Sequence, residues 1–384
     1  MDYNGRLEWL QARMDEQDLE VVIYGSSSIF QYLTGVLFDW RLNDEPGYPG
    51  TNVFVPRTGD PILTVDSKGM GYAEDCWIED VRLVQRISPR GSDYVDVVKQ
   101  VALDLDWSEG KIAIGDHIWG SSLVEIARNF KGGRFRSGKS LLDDLRMIKE
   151  PEEIEKLRKA AELTDDVMKE IISGVIDGVT QKDLQFEIEM LGRRKGASHI
   201  SFNPTAGFVK SGSEATGDPF EYPQDEGLRP GTSIAFDVGF VHDGYCSDWG
   251  RSMYWGPASE EVSKGYEALM QSVVTTVDKM GAGNMRVNDI FPSIEAYLDK
   301  EGYGDYIRAR LKNGLVGHQI GVECHEGPWL KPSENMELKE GMVMCLEPKI
   351  WHAGEYYLRV EDMVLVKHDK GEFLTKYDRE QFLL

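Results

Sequence analysis

Apolar residues recur along this chain with two periods. Over residues 146–173, RMIKEPEEIEKLRKAAELTDDVMKEIIS, the side chains of Ile154, Leu157, Ala161, Leu163, Val167 and Ile171 fall on one helical stripe, as a helix packed against a core requires. Pro151 suits the first turn of that helix, and acids follow it. The same spacing predicts helices over 6–17, 93–105, 181–195, 260–280 and 287–301. Between them lie short β-prone runs at 19–24, 51–56, 60–65 and 111–116, the middle two joined by an Arg57-Thr58-Gly59 turn. Strands alternating with helices predict an α/β domain over 1–142, and the long helix opens a second domain over 143–384.

The most telling pattern is LRPGTSIAFDVGFVHDGYCSDWGR, residues 228–251. Residues 234–240 form an apolar run, Asp243-Gly244 is a turn pair, and 245–254 resumes with aromatic and alternating residues, which predicts a β-hairpin. Whether the turn centres on His242-Asp243 or on Asp243-Gly244, Asp237 and Asp248 share a face. Two carboxylates on one face repel, and an apolar strand is a costly place to bury either. A solvated face, or pairing with an arginine such as Arg251, is the plain alternative.

A second stretch decides between these readings. LKEGMVMCLE at 338–347 repeats LRPGTSIAFD at 228–237 with an offset of 110 residues, so Glu347 occupies the place of Asp237. Beyond Glu347 a turn-like Trp351-His352-Ala353-Gly354 leads into YYLRVEDMVLV, which carries Glu361. Two related hairpins thus bear two acids each. Four converging carboxylates need positive charge, and a metal cluster supplies it. Between the hairpins, in GLVGHQIGVECHEGP, glycines flank His318. One imidazole with four carboxylates suits two divalent ions sharing bridging oxygens.

The run D-x-G, an Asp eleven residues on, GHxxGxxxHExP, E-P and R-x-E-D resembles the metal-dependent pita-bread hydrolases: methionine aminopeptidase, proline aminopeptidase, prolidase and creatinase. The resemblance spans residues 146–384 and implies an α+β pita-bread catalytic domain. The early helix, strand and YLTG resemble the α/β amino-terminal domain of the creatinase and prolidase branch. By this resemblance Asp237, Asp248, His318, Glu347 and Glu361 are the metal ligands. Two bound ions would lower the pKa of a shared water, Glu347 would shuttle its proton, and His325 would hydrogen-bond the substrate carbonyl or oxyanion. Arg359 would brace the ligands or meet a substrate carboxylate. Oxygen-rich ligation points to manganese, with cobalt, zinc and iron as alternatives. The resemblance also implies a homodimer in which the amino-terminal domain of one subunit helps close the other's site, making Trp40 and Arg41, in the 38–50 loop, candidates for substrate contact. A plain mobile surface loop is the first reading of that segment, and substrate contact the alternative.

Two departures bear on the substrate. Relatives carry a Pro-His about 17 residues before the first ligand, whereas SGSEATGDPFEYPQD at 211–225 has no histidine, Asp218 and Phe220 standing nearest to the place. Gly314 stands where proline aminopeptidases tend to hold another histidine. His199 is read as structural, facing the pocket only as an alternative. The first expectation is therefore an Xaa-Pro dipeptidase or aminopeptidase. The second is hydrolysis or lysis of a small zwitterion such as ectoine, creatine or dimethylsulfoniopropionate. A non-catalytic binding module, as in chromatin-associated relatives that lost their ligands, comes third.

Composition narrows the partners. With 43 Lys and Arg against 66 Asp and Glu the net charge is −23, which leaves no basic surface for nucleic acid or anionic membrane. No run of about 18 apolar residues occurs and the start lacks a signal-type apolar segment, so a cytoplasmic location is expected. Cys76, Cys246, Cys324 and Cys345 show no metal or redox spacing. Although the last three lie near candidate ligands in sequence, they are read as small buried hydrophobes.

Overall fold

A computed structural model of the protein describes every residue except 38, 39, 41–49, 68, 75, 89, 90 and 211–224. Its packing divides the chain into Met1–Arg146 and Met147–Leu384. Leu141, Leu142 and Leu145 pack into the amino-terminal core, which carries the first unit a few residues beyond 142.

In the first unit, helix Tyr3–Glu16 buries Leu7, Leu10 and Met14 on one stripe, and the Asp2 side chain caps its start. Helix Ser28–Thr34 is capped by Ser27 and stopped by Gly35 at φ 74°, a left-handed value that favours glycine. The sheet runs, in spatial order, Asp80–Val84, Ile62–Asp66, Asn52–Pro56, Val21–Gly25, Gly110–Ile114 and Gly133–Ser137. Residues of alternate parity go to different cores. Val22 and Tyr24 pack with Leu10 and Met14 on one face, while Val21 and Ile23 pack with Val98 and Ile126 on the other. Coverage on both faces explains why 21–24 is continuously apolar instead of alternating.

The second unit opens with helix Pro151–Ser173, whose start carries a capping box between Glu150 and Glu153. Its buried stripe is Leu157, Ala160, Ala161, Thr164, Val167, Met168, Ile171 and Ile172. Helices Gln181–Arg194, Glu260–Val277 and Val287–Glu301 follow where the periodicity placed them, and a further short helix, Gly304–Arg310, had no clear stripe. The helices cover one face of the sheet. Ile234, Phe236 and Val238 pack under Val167 and Ile188, and Leu358, Val360 and Val364 pack under Leu269 and Ile294. Odd-numbered neighbours on these strands, Asp237 and Glu361 among them, point the other way.

Both hairpins are present. Asp243 and Gly244 have φ of 47° and 80°, the two positive values of a type I′ turn, and His242 pairs with Tyr245 across it. One register then continues to the strands Thr232–Val238 and Trp249–Trp255, where Asp237 stands opposite Gly250. In the second hairpin the long strand Tyr356–Val366 pairs with Lys349–His352 and with Val343–Leu346. The sequence repeat is a structural one: Gly231 and Gly341, at matching places before the two first strands, have φ of 89° and 90°.

Candidate metal centre

The hairpins meet side by side. Gly250 of the first pairs with Glu361 of the second, and Leu346 with Asp362 and Lys349 with Arg359 fix position 347 opposite Glu361. Residues opposite one another in antiparallel strands point to the same face, so Asp237, Glu361 and Glu347 line up across the sheet. His318 joins from strand Gly317–Gln319 by pairing with Cys345, two residues from Glu347. Gly250 keeps the row open: a Cβ there would stand 2.8 Å from Arg359 Nε and 2.9 Å from Glu361 Cβ.

Asp248 reaches the same place from the end of the turn. It is 3 % exposed, its Oδ2 accepts from Cys324 Sγ at 3.2 Å, and Oδ2 lies 3.5 Å from His318 Nε2. Its buried Oδ1 has no partner among the described residues. His318 Nδ1 is 3.0 Å from the carbonyl of Gln319. A carbonyl only accepts, so Nδ1 carries a proton, and Nε2, the nitrogen that faces Asp248, is the one left to ligate a metal once it gives up its own proton.

Donor atoms of Asp248, His318, Cys345 and Glu361 lie within 4.8 Å of one another. Asp237 and Glu347 share the face but stand outside this compact set, and two cations engage their oxygens. Arg359 Nη1 donates to Asp237, and Nη2 donates to Glu361 and, at 3.4 Å, to Glu347. Lys349 Nζ donates to Glu347. Two charges thus offset half of the four carboxylates.

The titration behaviour follows from these contacts. Burial raises the Asp237 carboxyl, with Arg359 opposing and Asp248 adding to the rise. Glu361 is pushed far up by burial and by the charges of Asp248 and Glu347. Burial acts on Glu347 as well, but Lys349 and Arg359 outweigh it and hold it below its usual range. On Asp248 burial is outweighed by its contact with His318, and His318 rises in return. A set that pushes two of its carboxyls up, holds the other two down and keeps an orphaned oxygen within is a fit for oxygen-seeking cations.

His325 is exposed on the next segment, its ring 4.4 Å from that of His318 and stacked on Trp329 at 5.7 Å. Partial burial, and then His318, hold its pKa below the ordinary histidine value. The sequence reading missed the groups that steady this segment. Lys149 Nζ, almost fully buried, donates to Gln319 Oε1 and Glu326 Oε2 at 3.0 Å each, gripping the residue after each histidine. Lys349 was missed as well. On the reverse face, Arg251 pairs with Asp362 at 2.7 Å with neither side chain exposed, and donates to the Glu361 carbonyl. The arginine considered as a partner for Asp237 or Asp248 therefore serves the acid next to Glu361 instead.

Gly314 has φ 67°, and a Cβ there would stand 2.7 Å from Pro332, so this backbone leaves no room for a histidine. His199 lies in a two-residue strand paired with Val241. Trp40 donates from its indole to Gln31 Oε1 at 3.0 Å within the first unit. Arg41, Asp218 and Phe220 lie outside the described residues.

Comparison with known proteins identifies the family and the fold. Residues 155–368 match metallopeptidase family M24 and residues 6–148 match the creatinase/prolidase N-terminal domain. The Bacillus subtilis protein YkvY, whose name assigns it provisionally to the dipeptidases, is 30% identical over 66% of this chain and 67% of its own length. Among solved structures, a dipeptidase from Pyrococcus horikoshii OT3 is 26% identical with a TM-score of 0.83, covering 99% of this chain and 100% of that one. A prolidase from Thermococcus sibiricus is 27% identical with a TM-score of 0.82, covering 100% of both. The chain belongs to metallopeptidase family M24, a metal-dependent peptidase with the pita-bread fold behind a creatinase/prolidase-type amino-terminal domain.

Proposed function

We propose that this chain is a dinuclear metallohydrolase that cleaves the C–N bond of short Xaa-Pro peptides, as a dipeptidase or a closely related aminopeptidase, with manganese as its metal. The observation that carries the reading is the row of Asp237, Glu361 and Glu347 on one sheet face with Asp248 and His318 beside it. These five would hold the ions, and the names of the dipeptidase and prolidase relatives support the substrate class. Divalent ions held there would lower the pKa of a bound water toward neutrality.

The protein's own groups supply the rest. Glu347, opposite Glu361 and held ionised by Lys349 and Arg359, takes the proton from water and gives it to the leaving nitrogen. His325, kept neutral by its lowered pKa, donates one ring N–H to the substrate carbonyl as negative charge develops there. Arg359 spends its fork on Asp237, Glu361 and Glu347, which favours bracing over direct contact with a substrate carboxylate. A cytoplasmic homodimer, with Trp40 and Arg41 contacting substrate, completes the proposal on family resemblance.

A second reading, a small zwitterion in place of a peptide, is favoured by the absence of histidine at 211–225 and by the closed space at Gly314. A manganese-loaded panel of Xaa-Pro dipeptides, longer Xaa-Pro peptides, ectoine, creatine and dimethylsulfoniopropionate tests the choice. Hydrolysis of Xaa-Pro dipeptides is expected, and turnover of a non-peptide alone overturns the first reading.

A further inference from the structure

Asp248 belongs to a second donor set. Its carboxylate, the Cys324 thiol and the His325 imidazole each offer an atom, and these three atoms lie within 4.8 Å of one another. Cys324 Sγ already sits 3.2 Å from Asp248 Oδ2, while Oδ1 of this 3 % exposed residue has no partner among the described residues. Cys324 is buried and His325 is exposed, so the set has a sulfur-lined inner side and an outer side within reach of solvent.

The backbone holds the sulfur and the imidazole in place. Cys324 and His325 are neighbours, and Glu326 pins the segment by accepting from the Glu323 amide at 3.1 Å and from Lys149 Nζ at 3.0 Å. The neighbouring Cys246 thiol, by contrast, is directed to the Val322 carbonyl at 3.3 Å. A carboxylate, a sulfur and an imidazole make a mixed set that suits zinc and cadmium, whereas manganese prefers the oxygen-rich row beside it. The two sets compete for one carboxylate.

We propose that Asp248, Cys324 and His325 form a separate, inhibitory site for a thiophilic divalent cation of the zinc and cadmium class. The incoming ion displaces the thiol proton to solvent and takes up the sulfur, a ring nitrogen of His325 and one oxygen of Asp248. Occupancy removes Asp248 from the manganese row and His325 from the substrate. The inhibition therefore rests on the function proposed above, whereas the binding of the cation does not.

The test titrates cadmium into the full-length, manganese-loaded protein, following sulfur-to-cadmium charge-transfer absorption in the ultraviolet and, separately, turnover of an Xaa-Pro dipeptide. The absorption should saturate at about one cadmium per chain while turnover falls in parallel. In Cys324→Ser the absorption should vanish and the inhibition midpoint, measured against that variant's own turnover in manganese, rise roughly tenfold or more. Cys324→Ala, with its fold checked by circular dichroism, serves if the serine variant does not fold. Cys345→Ser should keep the absorption. The proposal is overturned if no such absorption develops, if Cys324→Ser retains it, or if it is lost in Cys345→Ser alone. Because the absorption is read without substrate, a protein that cleaves no peptide at all still reports on this site.

Discussion

At the scale of single residues, the arrangement assigns different work to two adjacent histidines. His318 spends its Nδ1 proton on Gln319 and keeps Nε2 for the cluster, whereas His325 stands exposed against Trp329. His325→Ala should therefore keep its metal content and lose about 10²- to 10³-fold in turnover, to be read by metal analysis beside steady-state kinetics. Loss of metal in that variant would remove His325 from the substrate side. The five acid and imidazole positions stood out in the sequence as candidates because residue type and spacing agreed and the repeat matched Glu347 to Asp237. Lys349 and Lys149 were not. A lysine after Glu-Pro or before Glu-Pro has no period of its own, and its role exists only once Lys349 is paired with Arg359 across the hairpin and Lys149 reaches Glu326 from 177 positions away. Cys324 was read as a buried hydrophobe, which its burial supports. Its contact with Asp248 needed the turn of the segment around His325.

At the scale of elements, the hairpin was legible in its apolar run and turn pair, and Asp243-Gly244 was one of two turns left open by the sequence. The role of Gly250 was hidden, since a glycine inside a strand reads the same whatever lies across from it. Gly250→Ala would drive a methyl against Glu361 and Arg359. It should cost about 1–3 kcal/mol of stability and weaken manganese binding, measured by urea unfolding and metal titration. Unchanged values in both would show that the row does not need this gap. The helix at Pro151–Ser173 carries a different test. Asp165 accepts from the Lys376 amide at 2.5 Å, its Oδ1 has no partner among the described residues, and burial pushes its carboxyl up to about 6. The folded state therefore holds this proton to higher pH than the unfolded chain does. The stability gained is complete below about 3.8 and is lost as pH rises through about 6. The linked change is at most about 3 kcal/mol. Asp165→Asn should flatten this part of the profile in denaturant titrations between these limits, and an unaltered slope would contradict the assignment.

At the scale of the molecule, the two packed units were legible from the alternation of strands and helices and from the apolar stripe beginning after Pro151. The sheet order was not, because long-range pairing such as Gly250 with Glu361 leaves no local periodicity. No helix among the described residues is long and apolar enough to cross a membrane. Divalent ions that bind only the folded row must stabilise it, by about 2.7 kcal/mol at a free concentration one hundred times Kd. Removing them with a chelator should lower the melting temperature of the parent protein by more than that of Asp248→Ala. Equal melting with and without chelator in both proteins would speak against ligation by the folded site.

The most direct measurement is manganese stoichiometry by titration of the chelator-treated parent protein and of Asp248→Ala, with peptide turnover followed in the same samples. About two ions per chain are expected in the parent, with loss of at least one ion and of turnover in the variant. A parent protein that takes up no stoichiometric metal at saturating manganese, or a variant that matches it in both metal and turnover, would contradict the account.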